Sequence, residues 1–68
     1  MVTLMVSDLD IYRAAKLVID RHGDSALIEA AQMIDRMLAN GDEEGWLVWR
    51  RIKRAIEALQ AASSGPVH

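Results

Sequence analysis

The chain has 68 residues, of which 51% are hydrophobic, and its eight Lys and Arg residues against ten Asp and Glu residues give a net charge of −2. One small domain fits this length, the hydrophobic fraction excludes a disordered chain, and the charge excludes a general polyanion binder. The lack of cysteine in the sequence excludes a disulfide framework, a thiolate zinc site and a cysteine nucleophile.

The first predicted helix follows an apolar N-terminal extension, residues 1–6 (MVTLMV), and begins at Ser7. Serine is a preferred N-cap, and the acidic residues Asp8 and Asp10 suit the positive end of the helix dipole. Gly23 suits the left-handed position that closes a helix. The apolar stripe of this helix consists of Ile11, Ala14, Ala15, Val18 and Ile19.

The second predicted helix starts after the short connection His22-Gly23-Asp24, with Asp24 or Ser25 as its cap, and ends at Asn40-Gly41. Its stripe consists of Leu27, Ala30, Ala31, Ile34 and Leu38, with Ile28, Met33 and Met37 beside it. Because this helix is apolar over more than half of its circumference, we expect it to be the most buried element.

The third predicted helix has Asp42 as its N-cap and ends near Ser63. Gly45 in its first turn indicates either close packing or a helix that starts only at Trp46. The stripe consists of Trp49, Ile52, Ala55, Ile56, Leu59 and Ala62. The sequence therefore predicts an all-α, three-helix domain over residues 7–62 with short loops, and residues 63–68 form a loose tail.

The small size of the chain limits how stable it can be as a monomer. A single core this small rarely supplies more than about 3–5 kcal/mol of stability. The larger apolar side chains that remain after ten alanines are more than a monomer of this length easily hides. We therefore expect a homo-oligomer, with a dimer favoured.

The candidate partner-binding residues are flexible or aromatic apolar side chains at the edge of the predicted stripes: Leu4, Met5, Met33, Met37 and Trp46. Trp49 continues the stripe of the third helix and is interpreted as a core residue. Trp46 lies at the edge of the stripe, which fits a core position and a partner-binding position equally well.

A basic cluster on the third helix is the candidate polyanion contact: Arg50, Arg51, Lys53 and Arg54. Residues 50–68 carry a net charge of +3 and residues 1–49 one of −5. The cluster is either a phosphate-contacting surface or a solvated face, and Glu57 at helical spacing favours the solvated face. The acidic residues that open this helix disfavour a DNA recognition helix.

Catalysis, metal binding and cofactors find no support in the sequence, so we expect a protein that is not an enzyme. His22 is interpreted as a helix-terminal residue near Asp20 or Asp24, and His68 lies in the tail. The sequence has no targeting segment or membrane-spanning run, which predicts a cytoplasmic protein without membrane contact.

The combined pattern resembles a group of short uncharacterised helical proteins of alphaproteobacterial type. The pattern comprises Asp10-Ile11-Tyr12-Arg13-Ala14-Ala15, Ile19, His22-Gly23-Asp24, Ala30-Ala31, Asp35, Gly41-Asp42, Gly45, Val48-Trp49-Arg50-Arg51-Ile52 and Ala55-Ile56. The resemblance implies a small helical domain of unknown function and brings no catalytic residue.

The functional prediction is a non-enzymatic interaction or adaptor module that acts through helical self-association. The alternative is a nucleic-acid-associated regulator that uses the basic face of the third helix. A third hypothesis, an antitoxin-like protein that neutralises a partner, is not separated from the first by any feature of the sequence.

Overall fold

The structure is a computed structural model that describes residues 6–63, and within that range it contains helices and turns but no strand. The α-helices are α1 (Asp8–His22), α2 (Ala26–Ala39) and α3 (Glu43–Ser63). A 3-10 turn, Gly23–Ser25, joins α1 to α2 without a loop. The all-α prediction is confirmed, but the prediction of three helices separated by loops is wrong, because α1 and α2 form one bent helical unit and α3 forms the second.

The start of α1 follows the predicted capping pattern. Ser7 has extended backbone angles, and its side-chain oxygen accepts a hydrogen bond of 3.1 Å from the backbone N–H of Asp10. This bond satisfies one of the amide groups that the first turn leaves without a helical partner. Of the predicted N-terminal extension, only Val6 is described, and it packs against the core.

The bend between α1 and α2 depends on Gly23, whose φ of 53° is in the region that favours glycine. Its N–H donates to the carbonyl of Ile19, and its own carbonyl accepts from Ala26. Ser25 occupies the N-cap position of α2, but its side chain makes no capping hydrogen bond. The predicted side-chain cap is therefore wrong at Ser25, because the 3-10 turn continues directly into the helix.

The turn between α2 and α3 is closed by backbone bonds around Gly41, which has a φ of 72°. The N–H of Asp42 donates to the carbonyl of Met37 at 2.9 Å, and the N–H of Gly41 donates to that of Leu38 at 3.1 Å. This is the Schellman pattern, which satisfies the last carbonyls of a helix.

Asp42 begins α3 as predicted, since its Oδ1 accepts a hydrogen bond of 2.9 Å from the N–H of Gly45. A Cβ atom at Gly45 would lie 2.6 Å from the Sδ of Met37. Of the two interpretations of this glycine, close packing is the one observed, and α3 starts at Glu43 before it.

The core lies where α3 packs against both arms of the bent unit. In the part of the chain that the structure describes, each helix contributes two buried residues: Ile11, Ala15, Ala26, Ala30, Ile52 and Ile56. The alanines allow close approach of the helix backbones, and Ile56 is the large side chain that is fully buried. Trp49 is partly buried and packs against this core.

By share of residues α2 is the most buried helix, as predicted, since eight of its 14 residues are buried or half-buried, but part of its apolar surface stays exposed. Its buried residues are the small Ala26 and Ala30, while Ile28 is 60% exposed and Leu38, from the predicted stripe, is 64% exposed. The reason is that the neighbouring helices cover only one side of α2, and its apolar surface extends beyond that side.

Candidate interaction groove

Two adjoining cavities lie between α2 and α3, and both are lined by Trp46. Each has a volume of about 460 Å³. We call them together the Trp46 groove, which is lined by Ile34, Met37, Leu38, Gly41, Asp42, Glu43, Trp46, Arg50, Lys53, Arg54 and Glu57. Its size is in the range of pockets that bind part of another molecule.

Helical spacing explains why these side chains share one groove. Ile34 and Leu38 are one turn apart on α2, so they lie on the same side of that helix. Trp46, Arg50 and Lys53 repeat at helical spacing along α3. The tight turn at Gly41 reverses the chain and brings the two rows next to each other.

The apolar part of the groove lies at the end near the turn. Leu38 is 64% exposed, and Met37 and Trp46 are partly buried. A cluster of accessible apolar side chains in a concave surface is typical of an interaction site. Methionine adds adaptability, since its unbranched side chain adjusts to different neighbours.

The charged part of the groove lies farther along α3. The guanidinium carbon of Arg50 is 4.6 Å from the centre of the Trp46 ring, which is a cation–π contact. The Nζ of Lys53 lies 3.0 Å from the Oε2 of Glu57, one helical turn away. Arg50 therefore covers one face of Trp46 and holds the ring at the rim of the groove.

The structure brings together two of the five predicted partner-binding residues, Met37 and Trp46. Met33 does not line the groove; its Sδ lies 3.9 Å from the Nη1 of Arg36. Leu4 and Met5 lie outside the described residues. Leu38 belongs to the groove although the sequence pattern placed it in the core stripe, and the signal that could have revealed it was the wide apolar circumference of α2.

The four basic residues do not form one unoccupied patch. Arg51 donates to Asp8 Oδ1 at 2.7 Å and to the carbonyl of Val6 at 2.9 Å. Lys53 and Arg50 have the partners described above. Arg54 is exposed and borders the Trp46 groove. Most of this cluster therefore serves contacts within the chain.

His22 lies at the C-terminal end of α1, as expected. Its Nδ1 is 4.0 Å from the Oε2 of Glu29, so its neighbour is on α2 and is neither of the aspartates suggested by the sequence. Among the described residues, no group of three His, Asp or Glu side chains is arranged to hold a metal ion. None of the helices within residues 6–63 combines the length and apolar character needed to cross a membrane.

The chain was compared with known proteins. No family model, no curated protein and no solved structure matches it.

Proposed function

We propose that the protein is a small, non-enzymatic interaction module that acts by burying apolar helical surface against a second copy or a partner helix. Within residues 6–63, six large apolar side chains are between 48% and 64% exposed, and they are distributed over all three helices: Leu9, Tyr12, Leu17, Ile28, Leu38 and Leu47. Burying this apolar surface against another chain lowers the free energy relative to leaving it in contact with water.

The Trp46 groove supports a helical partner in particular. Grooves between two helices receive an amphipathic helix through a few apolar anchor residues. The apolar end at Leu38 and Trp46 offers the anchoring surface, and the charged end offers Arg50, Lys53 and Arg54. Asp42 and Glu43 add negative charge at the turn, so the two ends of the groove differ in sign and would orient a charged helix.

Sedimentation equilibrium over a wide range of protein concentration tests self-association. We expect a mass above the 7.6 kDa of one chain that persists at high salt, because apolar burial is not screened by ions. A chain that stays monomeric at millimolar concentration, at both low and high salt, would contradict the self-association proposed here.

The alternative function, nucleic-acid binding through the basic face of α3, predicts a different salt response. A labelled DNA duplex provides the probe, and fluorescence anisotropy gives its affinity. Binding through phosphates weakens steeply with salt, with a slope set by the number of phosphates contacted. An Arg54→Ala variant that reduces this slope would favour the alternative over association through apolar surface.

A further inference from the structure

The outer face of α3 carries a hollow that is separate from the apolar end of the Trp46 groove. Its volume is about 450 Å³, and the residues around it include Val6, Leu47 and Val48 as well as Glu44, Arg50 and Arg51. Leu47 is 52% exposed there. The leucine of another chain could fill this hollow and pack against Leu47.

The charges along this face form a palindrome around Leu47. Glu44 and Arg50 are each three residues from Leu47, and Glu43 and Arg51 are each four residues from it. With a rise of about 1.5 Å per residue, the members of each pair lie at equal distances on opposite sides of Leu47, about 4.5 Å and 6 Å along the helix axis.

A palindrome of opposite charges is complementary to itself. In an antiparallel pair of helices related by a two-fold axis at Leu47, Glu44 of one copy faces Arg51 of the other, and Glu43 faces Arg50. At about 100° per residue, the two members of each of these pairs lie on the same flank of Leu47. Both contacts occur twice because a two-fold interface uses the same patch on both subunits. Shifting the axis to Arg50 would pair Glu43 with Glu57, which is repulsive.

Contacts within the chain hold the charged side chains of this face in place before a second copy binds. The bonds from Arg51 to Asp8 and to the carbonyl of Val6 hold the start of α1 beside α3, and both Val6 and Arg51 line the hollow. Arg50 is held by its contact with the Trp46 ring. Fixed side chains lose less conformational entropy on binding than mobile ones.

We infer that a second copy of the chain binds to the outer face of α3 in antiparallel orientation, with Leu47 on the two-fold axis and Glu43 opposite Arg50. This inference rests on the proposed self-association and assigns a surface to it. The dimer would leave the apolar end of each Trp46 groove open, so that one assembly presents two grooves to other proteins.

The decisive experiment is a charge swap measured by sedimentation equilibrium at low salt. Glu43→Arg alone places like charges opposite each other twice, and we expect it to raise the dimer Kd by about tenfold or more. The double variant Glu43→Arg/Arg50→Glu restores both contacts between opposite charges, and its Kd should return to within about threefold of that of the wild type. Asp35→Arg makes the same change of charge at an exposed site on α2 and should leave the Kd unchanged.

Leu47→Asp provides a second test, with Ile28→Asp as the matched control at another exposed apolar position. We expect Leu47→Asp to weaken the dimer by about tenfold or more and Ile28→Asp to have little effect. Circular dichroism shows whether each variant keeps its helices. If Leu47→Asp does not fold, the charge swap still tests the proposed α3 interface, because it leaves the apolar residues intact.

The outcomes separate this inference from the proposed function. A dimer that survives Leu47→Asp but is lost in Leu38→Asp would overturn the α3 interface while self-association through the groove stands. A double variant that dimerises more weakly than Glu43→Arg alone would also overturn it. A wild-type chain that never dimerises would contradict the proposed self-association itself.

Discussion

The observed core can be tested with one substitution, isoleucine to valine, at two positions that differ in burial. Ile56 is fully buried, whereas Ile28 is 60% exposed. Both residues lie inside helices, so the small difference in helix propensity between these two β-branched residues applies to both sites. The difference between the two losses of unfolding free energy therefore reports the difference in burial between Ile56 and Ile28.

The expected magnitudes follow from the burial of one methylene group. Removing it at Ile56 costs about 0.8 kcal/mol of transfer free energy, and the residual cavity brings the typical range to about 0.5–1.5 kcal/mol. At Ile28 only about two-fifths of the side chain is covered, so the cost is about 0.3 kcal/mol. A domain of this size has about 3–5 kcal/mol in total, so both variants remain folded and measurable.

Urea denaturation followed by far-UV circular dichroism measures the difference. With a slope of about 1 kcal/mol per molar urea, Ile56→Val should lower the midpoint by about 0.5–1.5 M and Ile28→Val by about 0.3 M or less. All proteins are compared at the same concentration, since self-association adds to apparent stability. Equal losses at the two sites would contradict the observed difference in burial, because Ile28 would then be as buried as Ile56.

Four further variants test the turn between α2 and α3, the cap of α3, and the ion pair between Asp8 at the start of α1 and Arg51 within α3. Gly41→Ala forces an alanine to adopt a φ of 72°, and thermal unfolding should show a loss of about 1–2 kcal/mol. Asp42→Ala removes the cap of α3 and should cost about 0.5–2 kcal/mol; the conservative change Asp42→Asn should cost less, and equal losses would argue against a capping role. Asp8→Ala removes the partner of Arg51 and should lower the Tm slightly at low salt, with no difference from the wild type at high salt, because the Asp8 carboxylate is almost fully exposed.

The ends of the helices were predicted well because capping is local. Ser7 and Asp42 each bond to an amide three residues away, and the glycines at 23 and 41 both have positive φ. Such interactions depend on residues within one turn, so the sequence contains all the information they need. The exception, Ser25, lies where a 3-10 turn replaces the expected loop, and neither form of the connection has a distinctive sequence signal.

The candidate site was predicted only in part, because burial depends on which side of a helix its neighbours cover. The apolar residues of α2 extend around more than half of its circumference, so the pattern did not show that α1 and α3 would cover Ala26 and Ala30 and leave Leu38 accessible. The contact between Lys53 and Glu57 has helical spacing and was predicted. The pairing of Arg51 with Asp8 joins residues 43 positions apart and was not.

The all-α class, the caps of α1 and α3 and the position of the α2–α3 turn could be predicted from the amino-acid sequence, because they depend on propensities and hydrogen bonds between near neighbours. Three features depend on how the helices pack: α1 and α2 form one bent unit, the fully buried side chains are mostly alanines, and Met37, Leu38 and Trp46 meet in one groove. The physical reason is that close packing between helices selects one side of each, and that choice depends on the shapes of all three helices together.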